Sequence, residues 1–517
     1  MLVHNKSQKI VLNLRDPQRV LTVIPTAKQF RFKGHNLVAV PHRIDESKLL
    51  KNLGIKVPSP IKHYYQWSGQ RTPFAAQRET AAFLTLNLHS FCLNEMGTGK
   101  TLAVLWAFDY LRSLGYVRKL LVIAPLSSLE RTWSDEIFEH FPHLNFAVLY
   151  GSKERRLKML RTDADIYIVN HDGVKVIQDQ LIARTDLDVV AIDEIAAFRN
   201  AATGRWKCLR KVIAGRKVIW GMTGTPTPND PTDAWAQCRL ICPENVSPYF
   251  NKWRDSVMRQ LTMYKWIPRD DAVATVFEAM QPAIRFERKD CVDLPPCIYQ
   301  ERKTELSPEQ KKAYADMLTK LAMEHEDGLI IAVNEAVKMA KLVQIACGVI
   351  YGPDGSVQIP NTDRISVVQE IIEEAGTKVI VFCPFKGVVE FVAKKLSEHF
   401  TTAVITGETP KRARDEIFGD FQHSKDPRVL VASPGAMSHS LTLTAANTIV
   451  WYAPITSNDI FGQANARITR PGQKHTQFIV LVEGSPIERQ MYTRLKNRQK
   501  MQGLLLSAVR GVDTVTC

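Results

Sequence analysis

The octapeptide Asn-Glu-Met-Gly-Thr-Gly-Lys-Thr at 94–101 constrains this chain more than any other stretch. It follows a largely apolar run at 84–93 and opens the helical pattern TLAVLWAFDYLRSL. A strand, a glycine-rich turn and a helix start, in that order, make a nest of backbone N–H groups aimed at phosphate oxygens. Gly97 and Gly99 let the backbone approach closely, Lys100 pairs with β- and γ-phosphates, and the Thr101 hydroxyl ligates Mg2+ in such a loop. Asn94 stands where the usual G-x-x-x-x-G-K-T pattern has glycine.

The flanking sequence carries the alternation of short β-branched runs and helical patterns that a parallel sheet covered by helices demands. From Arg71 onward, strands are expected at 119–124, 166–170, 189–193 and 217–220, then a mostly helical, irregular stretch at 230–290. Past Pro295 and Pro296 come helical patterns near 307–322 and 334–346 and a hairpin, VIYGPDGSVQI, with Pro-Asp-Gly at its turn. A second alternation begins near Lys378, with strands at 379–383, 402–406, 428–432, 448–452 and 478–482. The fold class is therefore α/β: two parallel-sheet lobes, a helical insert and a small basic N-terminal region. The expected divisions are 1–65 (basic region), 66–295 (first lobe with helical extension), 296–375 (helical insert or linker), 376–484 (second lobe) and 485–517 (basic C-terminal helix).

Composition narrows the class. With 45% hydrophobic and 23% charged residues over 517, the chain can bury more than one core, which excludes disordered, collagen-like and coiled-coil classes. The net charge of +15 is uneven. Residues 1–70 hold twelve Lys/Arg against Asp16, Asp45 and Glu46, and 485–517 hold six basic against two acidic side chains. Cationic ends on a near-neutral middle suit a polyanionic partner. The nine cysteines form no C-x2-C pair and no zinc set, so they read as buried thiols in a reducing compartment. No signal-peptide pattern opens the chain, and the uncharged stretch 433–458 is too rich in Ser, Thr, Asn and Pro to span a membrane, so an intracellular, soluble protein is expected.

Further residues complete a phosphate chemistry. The apolar strand DVVAID presents Asp193 and Glu194 at its end, the first suited to water-mediated Mg2+ binding and the second to orienting and deprotonating a water. Gln77, upstream in RTPFAAQ, offers a donor and an acceptor that match an adenine edge. Downstream, QANARITRPGQ sets Arg467 and Arg470 three apart on one face of a helix turn, between Gln463 and Gln473. Guanidinium groups of this kind act as arginine fingers on a γ-phosphate.

In this order the motifs resemble the superfamily-2 helicase core and, within it, the Swi/Snf-type DNA translocases, over roughly residues 60–495. RTPFAAQRET looks like the Q motif, NEMGTGKT like motif I, VIAPLSSLERTW like Ia, IDEIAAFRN like II and GMTGTPTPN like III. IVNHDG resembles the strand-end segment after Ia, and VIVFCPF, VASPGAMSHSLTLTAA and QANARITRPGQ resemble motifs IV, V and VI. PAIRFERKDCVDLPP resembles the inter-lobe passage.

The resemblance implies an ATP hydrolase with ATP and Mg2+ between two RecA-like lobes. Nucleotide contacts fall on Gln77, Glu95, Met96, Gly97, Thr98, Gly99, Lys100 and Thr101, metal contacts on Thr101 and Asp193, and catalysis on Glu194, Gln463, Arg467 and Arg470. Thr223, Gly224 and Thr225 would relay γ-phosphate loss into lobe movement, and Pro125, Ser127, Asn170, Ser433 and Gly435 would hold a nucleic-acid backbone without reading bases. Two departures bear on coupling: Ala196 replaces a His or Ser of motif II, and Ser440 a Gly of motif V. The compact form resembles minimal Swi/Snf-type enzymes of bacteriophages and the fork-remodelling, strand-annealing branch. That implies duplex or branched DNA as partner, a host-cytoplasmic location for a phage protein, monomeric action, and replication, recombination or repair proteins as further partners.

At the N-terminal end, Lys28, Arg31, Lys33 and Lys62 are mixed with Phe30, Phe32, Tyr64, Tyr65 and Trp67. Such aromatics stack on unpaired bases, wedge a junction, or pack the segment onto the first lobe. At the other end PIERQMYTRLKNRQKMQGLLL has helical spacing, with Ile487, Met491 and Leu495 placed to brace the first lobe. Three functions stay open from sequence: a duplex-DNA translocase, a strand-separating DNA or RNA helicase, and a nucleotide-gated DNA clamp.

Overall fold

A computed structural model of the chain describes residues 1–263, 265–291, 295–326, 332–352, 355–437, 442–470 and 472–513. They divide into two units, Met1–Cys291 with Leu504–Cys517, and Val292–Gly503.

The first unit begins with β1 (Leu2–His4), β2 (Lys9–Asn13), β3 (Lys28–Phe32) and β4 (His35–Pro41), an antiparallel sheet in the order β1-β2-β4-β3. Period-2 alternation puts Ile10, Leu12, Val38 and Val40 on one side, where they are buried with Val20, Ile24 and Leu50. The β3–β4 turn is Lys33–Gly34, with φ of 46° and 81°. Positive φ at both central residues defines the turn whose twist matches a two-residue hairpin. Residues short for an independent domain thus own a small core. The helix Ile44–Asn52 fastens it to the lobe: Leu50 sits in the small core, Ile44 in the lobe core, and Lys51 Nζ donates to Asn87 Oδ1 at 2.7 Å.

The lobe itself is built on β5 (His89–Cys92), β6 (Leu120–Ala124), β7 (Phe146–Leu149), β8 (Ile166–Asn170), β9 (Val189–Asp193) and β10 (Val218–Met222). A hairpin of β11 (Met258–Thr262) and β12 (Lys265–Pro268) follows, then β13 (Ala283–Ile284). The sheet is parallel, in the order β13-β5-β10-β9-β6-β8-β7. Both faces are covered. Leu121, Ile123, Val190 and Ile192 enter one core and Leu120, Val122, Val189 and Ala191 the other, which is why these strands read as continuous apolar runs.

Three local expectations change. The strand before the glycine-rich turn is only His89–Cys92, because residues 84–86 close the helix Ala75–Leu86, whose buried Ala76, Thr80 and Leu84 repeat every fourth position. The stretch 230–290, expected helical and irregular, also contains the β11–β12 hairpin and β13. The aromatic cluster divides: Tyr65 and Trp67 pack inward on Tyr110 and Trp106, whereas Phe30 and Phe32 are exposed.

The second unit carries β14 (Cys297–Lys303), a hairpin of β15 (Val349–Gly352) and β16 (Gly355–Gln358), then β17 (Lys378–Phe382), β18 (Thr402–Ile405), β19 (Val429–Ala432), β20 (Ala446–Trp451) and β21 (Gln477–Glu483). Its parallel sheet runs β14-β21-β20-β17-β19-β18. The helices Pro308–Glu326 and Ala332–Cys347 form the helical insert, but residues 297–303, expected within it, are an edge strand on β21. The polar sequence CIYQERK hides that strand, since only edges tolerate such exposure.

The C-terminal helix Pro486–Asp513 also departs from expectation. Ile487, Met491 and Leu495, expected to brace the first lobe, pack instead into the cores of the second unit. Glu488 is buried there and pairs with Arg364. Six of the described cysteines are buried, Cys291 is half-buried and Cys297 exposed.

Candidate active site

Every expected site residue of the first unit except Gln77 lies at or just past the carboxyl end of a parallel strand, the edge where open α/β sheets place ligands. Across neighbouring strands that edge presents the glycine-rich loop after β5, Thr223 after β10, Asp193 and Glu194 at β9, Pro125 and Ser127 after β6, and Asn170 at β8.

The loop is tightly held. Gly97 and Gly99 have φ of 86° and 76°, and Gly99 caps the helix Lys100–Ser113, whose N–H groups point at the turn. The positive φ is what calls for glycine at 99, and a Cβ there would also displace the amide end of Gln77. Lys100 Nζ donates to the carbonyls of Asn94 (2.8 Å) and Glu95 (3.2 Å), and Thr98 Oγ1 donates to Glu95 O. Thr101 is half-buried at the helix start, and Met96 N lies 3.4 Å from where a Cβ on Gly224 would be.

The substitution at Asn94 has a structural reason. Its Nδ2 donates to Thr80 Oγ1 (2.8 Å) and its Oδ1 accepts from Phe286 N (2.9 Å), tying the loop to the chain that follows β13. Glu95 makes the same connection: its carboxylate accepts from Arg288 N (2.9 Å) and Nε (2.8 Å). Burial, the largest single effect, would raise the Glu95 pKa, but the Arg288 guanidinium and backbone N–H, with the Arg285 charge nearby, together outweigh it and hold the carboxyl below its usual range. Arg285 and Arg288 were not legible as site residues, because their partners lie almost two hundred positions upstream.

Asp193 Oδ2 accepts from Trp133 Nε1 and Oδ1 from Glu194 N, both at 3.1 Å. Burial pushes this carboxyl upward, and the Trp133 indole, Lys100 ammonium and Glu194 N–H pull it back only in part. Glu194 has φ of 51°, the left-handed region that a non-glycine residue enters at a cost. That backbone accompanies a carboxylate that accepts from Thr223 Oγ1 at 3.1 Å, and Thr223 Oγ1 in turn accepts from Thr225 N at 3.1 Å. Ala196 is buried and apolar; Glu194 itself reaches Thr223. Gln77, read as an adenine match, has its carbonyl on Phe74 N (2.8 Å) and its amide 3.5 Å from Gly99 O. It caps its own helix and supports the loop.

Ser127 is exposed after β6, and Asn170 Oδ1 accepts from Arg156 Nη1 at 3.0 Å. In the second unit Ser433 follows β19, its N–H donates to Ile405 O, and Gly435 lies in the turn Pro434–Met437. Ser440 falls outside the described residues. The helix Asn458–Asn465 ends before the arginines, so Arg467 and Arg470 occupy the turns after it and not a helix face. Arg467 is 1% exposed, which removes a merely solvated role, and Arg470 Nε donates to Ala466 O at 3.2 Å. Gln463 Nε2 donates to Asp459 Oδ1 (2.9 Å), and Gln473 donates to Ala446 O (2.8 Å), bracing the segment from inside.

A glycine-rich loop with lysine at a helix start, next to a strand-end acid pair on a parallel sheet, defines a P-loop nucleoside triphosphatase. A model of the SNF2-related domain matches residues 79–346, and one of the helicase conserved C-terminal domain matches 363–472. The chain belongs to the SNF2 family of helicase-like ATPases. It is similar to the putative protein p41 of Acyrthosiphon pisum secondary endosymbiont phage 1, 26% identical, covering 80% of this chain and 94% of that protein. It is 21% identical to a Caenorhabditis elegans homologue of the SWI/SNF-related regulator of chromatin containing DEAD/H box 1 (82% of this chain, 50% of that one). The yeast ISWI chromatin-remodeling ATPase ISW1 is 23% identical (81% and 38%), so the chain spans half or less of both of these longer relatives. Among solved structures it is similar to the Sulfolobus solfataricus SWI2/SNF2 ATPase core in complex with dsDNA, 22% identical, with a TM-score of 0.40 over 85% of this chain and 94% of that one. Among the described residues no helix is long and apolar enough to cross a membrane.

Proposed function

We propose that this ATPase drives its own translocation along double-stranded DNA, remodelling forks, branched DNA or protein–DNA complexes. The contact that most supports this is Glu194 to Thr223, because it joins the acid that handles water to the strand end that carries motif III. Lys100 and the loop N–H groups hold the triphosphate. Glu194 takes a proton from the water whose oxygen bonds the γ-phosphorus as the bond to the β-phosphate oxygen breaks. Thr101 and Asp193, a hydroxyl and a carboxylate beside Lys100, fit a hard cation such as Mg2+, which would neutralise phosphate charge when bound. We assign Arg467 and Arg470, with Gln463 beside them, to stabilising charge on the transferred phosphate.

Pro125, Ser127, Asn170, Ser433 and Gly435 contact phosphates in this scheme, giving sequence-independent binding. We take 66–295 and 376–484 as the catalytic lobes, with 1–65, 296–375 and 485–517 as accessories. The enzyme works as a monomer in the cytoplasm, that of the host if phage-encoded, alongside replication, recombination or repair proteins.

The test is steady-state ATPase rate alone, then with blunt duplex, forked DNA, single strand and RNA. Strong stimulation by duplex or fork and little by RNA is expected. Equal stimulation by single strands or RNA, with strand displacement, would replace the translocase with a strand-tracking helicase, and no stimulation would leave a nucleotide-gated clamp.

A further inference from the structure

The four-stranded sheet at the N-terminus has one face on its core and one face open. Cross-strand partners share a face, so the register fixes which residues lie outward. Phe30 pairs with Leu37 and Lys28 with Ala39; Ala39 pairs with Val11, and Lys9 with Pro41. These lie opposite Ile10, Leu12, Val38 and Val40, which fill the core. Every residue of β3 is exposed, Phe30 by 39% and Phe32 by 57%. The rings stand two residues apart on the same side of one edge strand, and Lys33 Nζ lies 5.7 Å from the centre of the Phe32 ring.

Two exposed phenylalanines on a small sheet are costly unless something covers them, and charge says what. Between residues 1 and 43 there are eight Lys/Arg and one acid, Asp16. Lys9 and Lys28 sit on the open face itself, and the register puts neither Asp nor Glu there. A second copy would oppose like charge to like. A duplex keeps its base faces stacked and out of reach of the rings. An unpaired strand supplies both complements, phosphates for the lysines and π-faces for the phenylalanines.

We propose that the open face of β1–β4 is a docking surface for single-stranded DNA, with successive unpaired bases stacked on Phe30 and Phe32 and the backbone held by Lys9 and Lys28. This rests on the DNA reading above only for the choice of DNA over RNA; the surface is separate from the ATP-binding edge. A duplex-tracking ATPase so equipped would recognise where a duplex opens into single strands.

The experiment uses the full chain without nucleotide, fluorescence anisotropy with labelled oligothymidylate and with blunt duplex, and the double variant Phe30→Ala/Phe32→Ala. Both rings are exposed, so the variant keeps its thermal unfolding profile. Base–aromatic stacking predicts a loss of oligothymidylate affinity of roughly 5- to 150-fold per ring, with duplex affinity and duplex-stimulated ATPase unchanged. Lys9→Ala/Lys28→Ala should lower the salt slope of oligothymidylate binding by about one unit or more. Unchanged oligothymidylate affinity in the phenylalanine variant, or an equal loss for duplex, would overturn the surface. Tighter binding of oligouridylate would make the occupant RNA, and a dimer by sedimentation lost in the variant would make it a second copy; both overturn the DNA assignment. An absence of duplex-stimulated ATPase in the wild type would instead sink the translocase while leaving the anisotropy result standing.

Discussion

Breaking the pair between Arg364 and Glu488 tests whether the first turns of the C-terminal helix are locked into the second unit by a buried charge. The side chains are 1% and 0% exposed, with Nη1–Oε1 at 2.7 Å and Nη2–Oε2 at 2.8 Å. Glu488 Oε2 also accepts from Gly484 N and Ser485 Oγ, and Arg364 Nη1 also donates to Tyr452 O, all at 2.9 Å. Burial alone would lower the guanidinium pKa, and the carboxylate beside it reverses the sign. Glu488→Gln keeps the shape but leaves Arg364 charged and uncompensated, which costs about 3–5 kcal/mol. Replacing both by Met and Leu removes the charge with the pair, and such swaps range from neutral to stabilising. A two-unit chain need not unfold in one step, so the readout is local hydrogen exchange in peptides from residues 486–503 and β20. Glu488→Gln should speed exchange there by roughly two to three and a half orders of magnitude, and Arg364→Met/Glu488→Leu should restore most of the protection. Exchange within about tenfold of wild type in the single variant, or no recovery in the double, would refute the reasoning.

Other outcomes follow from the proposed active site. Lys100→Ala should reduce hydrolysis to background, and Glu194→Gln should trap ATP and nucleic acid together; turnover retained in the latter removes Glu194 as base. Thr223→Val deletes the donor to Glu194 at constant shape. A hydrogen bond to a charged group is worth about 1.5–3 kcal/mol, so DNA-stimulated kcat should fall roughly 10- to 150-fold with KM for ATP held and Thr223→Ser restoring it; a rise in KM alone would make the contact merely structural. Asp233 is pushed by burial from 3.8 to about 6, so the native state keeps its proton to higher pH than the unfolded chain and loses stability as pH rises through that window. Asp233→Asn should therefore raise Tm at neutral pH, by up to about 3 kcal/mol in stability, with the advantage vanishing as pH falls toward 3.8; a pH-independent difference would show that the carboxyl is not the cause.

The strands at 189–193 and 429–432 were legible because a parallel strand buried on both faces must be apolar throughout, and DVVAID and RVLVAS say so. Strand β7 was missed at four residues, too short to show a period, and β14 because an edge strand tolerates a polar sequence. In the N-terminal region the signals were present, alternation in KIVLN and HNLVAV and a Lys-Gly turn, but charge dominated the reading and the segment was expected only as a small basic region. The loop, the acid pair and the arginines were readable as residue types at fixed spacing. Their settings were not. The left-handed backbone of Glu194, the burial of Arg467 and the use of Asn94 as a tie all depend on partners distant in sequence.

The segment after β13 that grips the glycine-rich loop has a consequence for how the protein is made. Arg288 closes on Glu95 across a separation of 193 residues, and Phe286 on Asn94 across 192. A chain leaving the ribosome N-terminus first therefore exposes its nucleotide loop long before the segment that braces it exists. The loop gains its support only when synthesis has passed residue 288, so a fragment cut at the end of the helix Ala272–Ala279 would carry the whole signature motif and lack the brace on it.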